Sequence, residues 1–251
     1  MLTQLPLRPI WRDTPLLAAV TLLLILFTAM RLVGLFGPTA WRVLLPLSFV
    51  LMAAAPFVLL GAKGRRQIGL KRAGASGDYL LGVAVGATLA LACGFLGSLL
   101  YGNGSDHWYV SIAAYYRRQL DTDGMGRLRL HLIFTLPGLL FSPIGEELFF
   151  RGLMQRALQA NMSRRRATAI ESAVFGLVHL GHHGLFIGAA AGWGLLAGSG
   201  LLWVLLMAGV AAVFAWLRLR SDSIGPAIAA HAAFNAAMNA YIFGALWASA
   251  G

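Results

Sequence analysis

The chain has 251 residues, of which 59% are hydrophobic and only 12% charged, and its mean hydropathy is +0.73. Soluble domains carry about twice that charged share, so a soluble globular fold is excluded and an all-α, polytopic transmembrane bundle is expected, one membrane-embedded domain over residues 1–251. The net charge of +11 is no nucleic-acid signature, because the basic residues gather in short clusters between apolar runs, as the positive-inside rule requires.

Residues 1–15 form a short basic leader with Arg8 and Arg12. Leu16–Phe36 follows, long enough to cross the bilayer. It contains Arg31 and lacks a small-x-small cleavage pattern, so it reads as a first span and not a signal peptide. The second span is Val43–Ala62, uncharged throughout. After the basic cluster Lys63, Arg65, Arg66, Lys71 and Arg72, a third span covers Tyr79–Tyr101. It holds the single cysteine, Cys93, which rules out a disulfide framework and a thiolate metal site. Residues 102–128, with Trp108, Tyr109, Tyr115 and Tyr116, have the composition of an interfacial helix with its rings at headgroup level.

The fourth span begins near Leu130 and carries Phe141-Ser-Pro-Ile-Gly-Glu146-Glu147-Leu-Phe-Phe-Arg151-Gly152. Charge at membrane depth costs at least a few kcal/mol, so it persists where it is paired or works. Glu147 and Arg151 are four apart and share a helix face, which predicts an ion pair. Glu146 is turned roughly 100° away and is left without that partner. Pro137 and Pro143 should bend the helix and free backbone groups near the carboxylates.

A fifth span is expected from Ala167 to His182, with Glu171 pairing to the cluster Arg164-Arg165-Arg166. Leu201–Leu217 is the sixth and Ile224–Ala248 the last. Between them, residues 184–199 are apolar and glycine-rich, with Gly188 and Gly192 spaced for close helix packing. They read as a short or re-entrant helix beside seven spans. An eighth span there would put Arg218 and Arg220 outside, whereas seven spans with a cytoplasmic N-terminus keep every large basic cluster inside.

Polar residues recur at one depth in the later spans. His179 closes Phe175-Gly-Leu-Val-His179, and His231-Ala-Ala-Phe-Asn235 places two polar groups on one face of the last helix. By helical rise, Glu146, His179 and His231 lie roughly 14, 18 and 11 Å from the inner surface, which predicts one shared site opening towards the cytoplasm. His182 and His183 read as a solvent-facing turn. A carboxylate with histidines in a dry cavity suits amide hydrolysis: Glu146 takes a proton from water and returns it to the leaving amine. His231 and Asn235 could bond the developing oxyanion, and His179 could orient the water. Alternatively, Glu146, His179 and His231 could bind a divalent metal such as zinc with an open position, although no His-Glu-x-x-His is present.

The three motifs in order, Glu146-Glu147-x-x-x-Arg151, Phe175-x-x-x-His179 and His231-x-x-x-Asn235, resemble the signature of the CPBP intramembrane proteases, the family of type II CAAX prenyl endopeptidases and bacteriocin-processing enzymes. The resemblance covers about residues 130–245, and the first three spans carry no motif. It implies an integral membrane endopeptidase in which Glu146 activates water. His179, His231 and Asn235 complete the site, and Glu147 and Arg151 support it. The implied partners are the lipid bilayer and a membrane-associated peptide or protein substrate, with no nucleic acid. Arginine-rich, lysine-poor composition points to a bacterial plasma membrane, so a prenylated substrate is not carried over. The short tail after Asn235 leaves no room for a further span, unlike members that have one there. Two other readings remain open: a non-cleaving relative acting as an immunity or scaffold protein, and a haem-binding or transport bundle using His179 and His231.

Overall fold

The computed structural model describes residues 6–11, 15–120, 124–188 and 192–249. Its helices are α1 (Leu16–Phe36), α2 (Leu44–Leu59), α3 (Ala62–Gln67), α4 (Gly77–Tyr101), α5 (Trp108–Gln119), α6 (Arg127–Glu146), α7 (Gln155–Gln159), α8 (Arg164–Val178), α9 (Ala197–Ser221) and α10 (Gly225–Tyr241). Glu147–Met154 and Ile242–Leu246 are π-helical, so α6 runs on through Glu147–Met154 into α7. Local sequence sets several ends. Ser163 caps α8 by accepting the Arg166 N–H, and Pro226, with no N–H to lose, opens α10.

Among the described residues, five segments are long and apolar enough to cross a membrane: Leu16–Phe36, Thr39–Leu59, Gly77–Tyr101, Arg127–Gln159 and Ala197–Ser221. The chain is an integral membrane protein. Seven full spans are not what the structure shows. The fifth and last expected spans are α8 and α10, of 15 and 17 residues. At about 1.5 Å per residue α8 falls short of ~30 Å of hydrocarbon, whereas α10 runs on helically through Ile242–Leu246 and differs from the five in carrying His231, Asn235 and Asn239. Both are core elements: α8 packs on α9, and α10 lies between α4 and α6.

Helix directions alternate and give the bundle two distinct ends. Arg218 donates to the Gln67 carbonyl at 3.1 Å, the Ile224 N–H to the Gly69 carbonyl at 2.8 Å, and Arg220 pairs with Asp78 at 3.2 Å. These contacts gather the 63–72 and 218–220 clusters at one basic end, with Arg156 and Arg164 in electrostatic reach of Arg218. The turn between α1 and α2, the loop of residues 102–107 and residues 179–188 after α8 lie at the other.

That segment is a correction. Among the described residues of 184–199 there is no short or re-entrant helix ahead of α9. Leu185–Gly188 (β1) and Gly192–Leu195 (β2) pair antiparallel, with Gly188 opposite Gly192. The two glycines therefore face each other across a hairpin instead of seating a helix, and Phe186, Ile187 and Trp193 are exposed. The aromatic loop also differs from expectation. The side chains of Trp108 and Tyr109 are fully buried, Trp108 bonded to the Cys93 carbonyl and stacked on Trp203, Tyr109 bonded to the Ala90 carbonyl. Each polar tip finds a helix carbonyl in α4, so the core takes rings that composition assigned to the interface.

α10 presses backbone to backbone on α4. Gly82 and Gly86 face Pro226 and Ala230, and neither leaves space for a Cβ. This approach fixes the height and rotation of the helix that carries His231 and Asn235.

Candidate active site

The Glu-Glu motif sits where α6 changes winding. The first π-helical residue is Glu147, and at the far end the Gln155 N–H reaches back five residues to the Phe150 carbonyl. Such bulges are frequent at functional sites, because the wider turn redirects side chains that an α-helix would place elsewhere. This one begins four residues after Pro143, and α6 itself runs α-helical through both Pro137 and Pro143.

Here the structure assembles a chain of buried charge. Glu147 pairs with Arg151 at 3.2 Å, as their spacing predicts. Arg151 also faces Glu171 at 3.5 Å and lies 4.0 Å over the Phe175 ring. Glu171 therefore does not pair with Arg164-Arg165-Arg166. It is fully buried and turned inward to Arg151. His231 Nδ1 lies 2.8 Å from Glu147 Oε1, and its Nε2 lies 3.6 Å from Glu146 Oε2. Glu146 is not without a basic partner either, because Arg31, reaching across from α1, pairs with its Oε1. The order is Arg31, Glu146, His231, Glu147, Arg151, Glu171, with every arginine and glutamate at most 2% exposed. Burying ions is costly unless they are mutually compensated. Three carboxylates against two guanidinium groups leave one formal negative charge in the row, with His231 seated between Glu146 and Glu147.

Three of these groups meet at a cavity of about 780 Å³ lined by Arg31, Glu146, His179, His231, Asn235 and Asn239 among others. His179 Nδ1 lies 2.7 Å from the Phe175 carbonyl. A carbonyl only accepts, so Nδ1 carries the proton and Nε2 is left as an acceptor. Asn235 donates to the Gly138 carbonyl at 2.9 Å, which commits one of its two N–H groups. Asn239, one turn further on, donates to Thr135 and accepts from Tyr116. The turn histidines are not solvent-facing: His183 is buried, bonds Ser111 at 2.8 Å, and lines the cavity with His182.

The cavity does not open towards the basic end. Its loop residues belong to the opposite end: Gly37 and Arg42, Ser105, and Gly184 to Ile187. Reckoning depth from helix ends found the common level, but only tertiary packing shows on which side of that level the space lies. α8 stops just before His179, and the cavity occupies the room beyond it.

Glu146 Oε1 is held by Arg31, whereas the Nδ1 contacts of His231 with Glu147 and of His179 with a carbonyl leave both Nε2 atoms as acceptors, as in metal-ligating histidines. What a metal lacks here is convergence of the donors. Among the described residues, no group of three His, Cys, Asp or Glu side chains converges as a metal site needs. Two members of the site escape the motif pattern. Arg31 is visible only as a charge inside the first span, and Asn239 only as the next four-residue step after Asn235.

Comparison with known proteins agrees with the motifs. No curated protein and no solved structure matches the chain. A protein-family model described as type II CAAX prenyl endopeptidase Rce1-like matches residues 128–237, a stretch that contains all seven motif residues and excludes Arg31. Residues 128–237 are a domain of the Rce1-like type II CAAX prenyl endopeptidase (CPBP) family, a family of intramembrane proteases.

Proposed function

We propose that the chain is an intramembrane endopeptidase that hydrolyses a peptide bond of a membrane-associated protein or peptide with water activated by Glu146. The observation that carries this is the meeting of Glu146, His179, His231 and Asn235, from three separate helices, at one cavity. Glu146 Oε2, the oxygen not engaged by Arg31, has no hydrogen-bond partner and serves as the proton acceptor. Water attacks the scissile carbonyl carbon as Glu146 takes its proton, with His179 Nε2 accepting the water's second hydrogen bond. The carbonyl oxygen gathers negative charge, met by the free N–H of Asn235 and by His231 in its protonated form. The C–N bond then breaks, and the proton on Glu146 passes to the departing amine. Glu147, Arg151 and Glu171 hold His231 from behind, and Arg31 positions Glu146. Composition fits a bacterial plasma membrane, and one membrane-embedded domain over the whole chain.

One observation favours a second reading. The Arg31–Glu146 pair neutralises the proposed base, as a relative that binds a partner without cleaving it could tolerate. Purified protein in detergent, given a quenched-fluorescent peptide library, separates the two. The expected result is cleavage by wild type, unchanged by chelator, and none by Glu146→Ala or His179→Ala. Cleavage by Glu146→Ala at the wild-type rate would remove the mechanism, and loss of activity in chelator would restore the metal.

A further inference from the structure

The two ends of the bundle differ in charge as well as in access to the site. Among the described residues, the basic end carries twelve Lys and Arg side chains: Arg8, the five of 63–72, Arg156, the three of 164–166, Arg218 and Arg220. The other end carries five: Arg42, Arg117, Arg118, Arg127 and Arg129. All of these lie in short connections or within a few turns of helix ends, where Lys and Arg set the orientation of a membrane protein. The end with twelve is therefore the cytoplasmic one.

The cavity belongs to the other end. None of its lining residues comes from 60–76, 155–172 or 218–228, whereas the α1–α2 turn, the α4–α5 loop and the hairpin all contribute. We propose that the active-site cavity opens on the extracytoplasmic side of the membrane. Its substrate is then an apolar peptide segment presented there by a chain already exported or anchored, an extension that rests on the peptidase reading. The walls are apolar where the cavity leaves the site, with Leu35, Phe36, Phe49 and Phe141 on one side and Phe186 and Ile187 on the other. Among the described residues, Arg42 and Arg118 are the only arginines of its outer part and no Asp lines it. An acidic group flanking the apolar segment fits that rim better than a basic one.

The orientation can be read without any activity. Gly74 at the basic end and Gly126 at the other both have open space at the Cβ position, and Cys93 is buried. Single Gly74→Cys and Gly126→Cys variants in intact host cells are treated with a membrane-impermeant maleimide, then again after permeabilisation. Labelling of Gly126→Cys alone in intact cells is expected, with Gly74→Cys reacting only after permeabilisation. Labelling of Gly74→Cys alone, or of both equally in intact cells, overturns the proposal. A C-terminal alkaline phosphatase fusion gives a second reading that needs no cysteine. Because α10 runs away from the basic end, the phosphatase should be active, and a green fluorescent protein fusion that fluoresces instead would contradict the orientation. Both readouts survive a failure of the peptidase reading. The substrate class has its own arm: quenched peptide added outside right-side-out vesicles should be cut, and cleavage only by inverted vesicles refutes it.

Discussion

At the residue scale the site is governed by compensation of buried charge. Arg31 and Glu146 neutralise each other at no more than 2% exposure, so removing one strands the other. Arg31→Leu is expected to cost about 3–5 kcal/mol of stability, the usual cost of breaking a buried pair, read as a lowered unfolding midpoint in detergent. Arg31→Leu combined with Glu146→Leu should recover most of that loss, because no lone ion remains. Stability losses that simply add would show that the two side chains do not interact. A second contrast concerns Glu171. Glu171→Ala should destabilise by a similar amount by unpairing Arg151, whereas Arg165→Ala, on the solvated side of the cluster, should change the midpoint little. The motif side chains were legible in the sequence, since four-residue spacing places Glu147 with Arg151 and His231 with Asn235 on common faces. The partners of Glu146 and Glu171 were not. Arg31 is 115 positions from Glu146, and no local pattern links residues that only packing brings together.

At the element scale, hydropathy located α1, α2, α4, α6 and α9 within a few residues, because each is a continuous apolar run of spanning length. It misjudged the pieces whose apolar character serves the protein interior. α5 is a core helix because Trp108 and Tyr109 find carbonyl acceptors in α4. Leu185–Gly188 and Gly192–Leu195 pair as strands, a form the glycines permit but the composition does not signal. The contact between α4 and α10 offers a test of how closely the elements must meet. Gly86→Val places a side chain against the Ala230 backbone, and should lower both the unfolding midpoint and peptide cleavage. Gly74→Val, in open space, should leave both unchanged. Equal behaviour of the two variants would mean that α10 is not held by this approach.

At the scale of the whole molecule, the family domain at 128–237 is not self-sufficient. Its first glutamate is balanced from α1, its last helix is seated on α4, and α2 packs along α6. A chain shortened to residues 120–251 retains every motif residue, yet it should neither cleave peptide nor show a cooperative unfolding transition in detergent. Supplying residues 1–119 as a separate chain should restore both in part, because membrane helices associate after insertion. An active short fragment would show that Arg31 and α4 are dispensable.

The α4–α10 seam bears on how the molecule works as well as on how it holds together. A helix seated by glycines against its neighbour's backbone leaves little room to slide or rotate, which favours an imidazole and an amide set in place before anything binds. Such dipoles need no reorientation as charge develops, which is what makes a preset polar site effective. The necessary movement must then fall to the substrate: an extended stretch of peptide has to enter and shed its own secondary structure at the site. Segments that unwind easily, through Gly or Pro near the scissile bond, should be cut faster than stable helices of the same hydropathy.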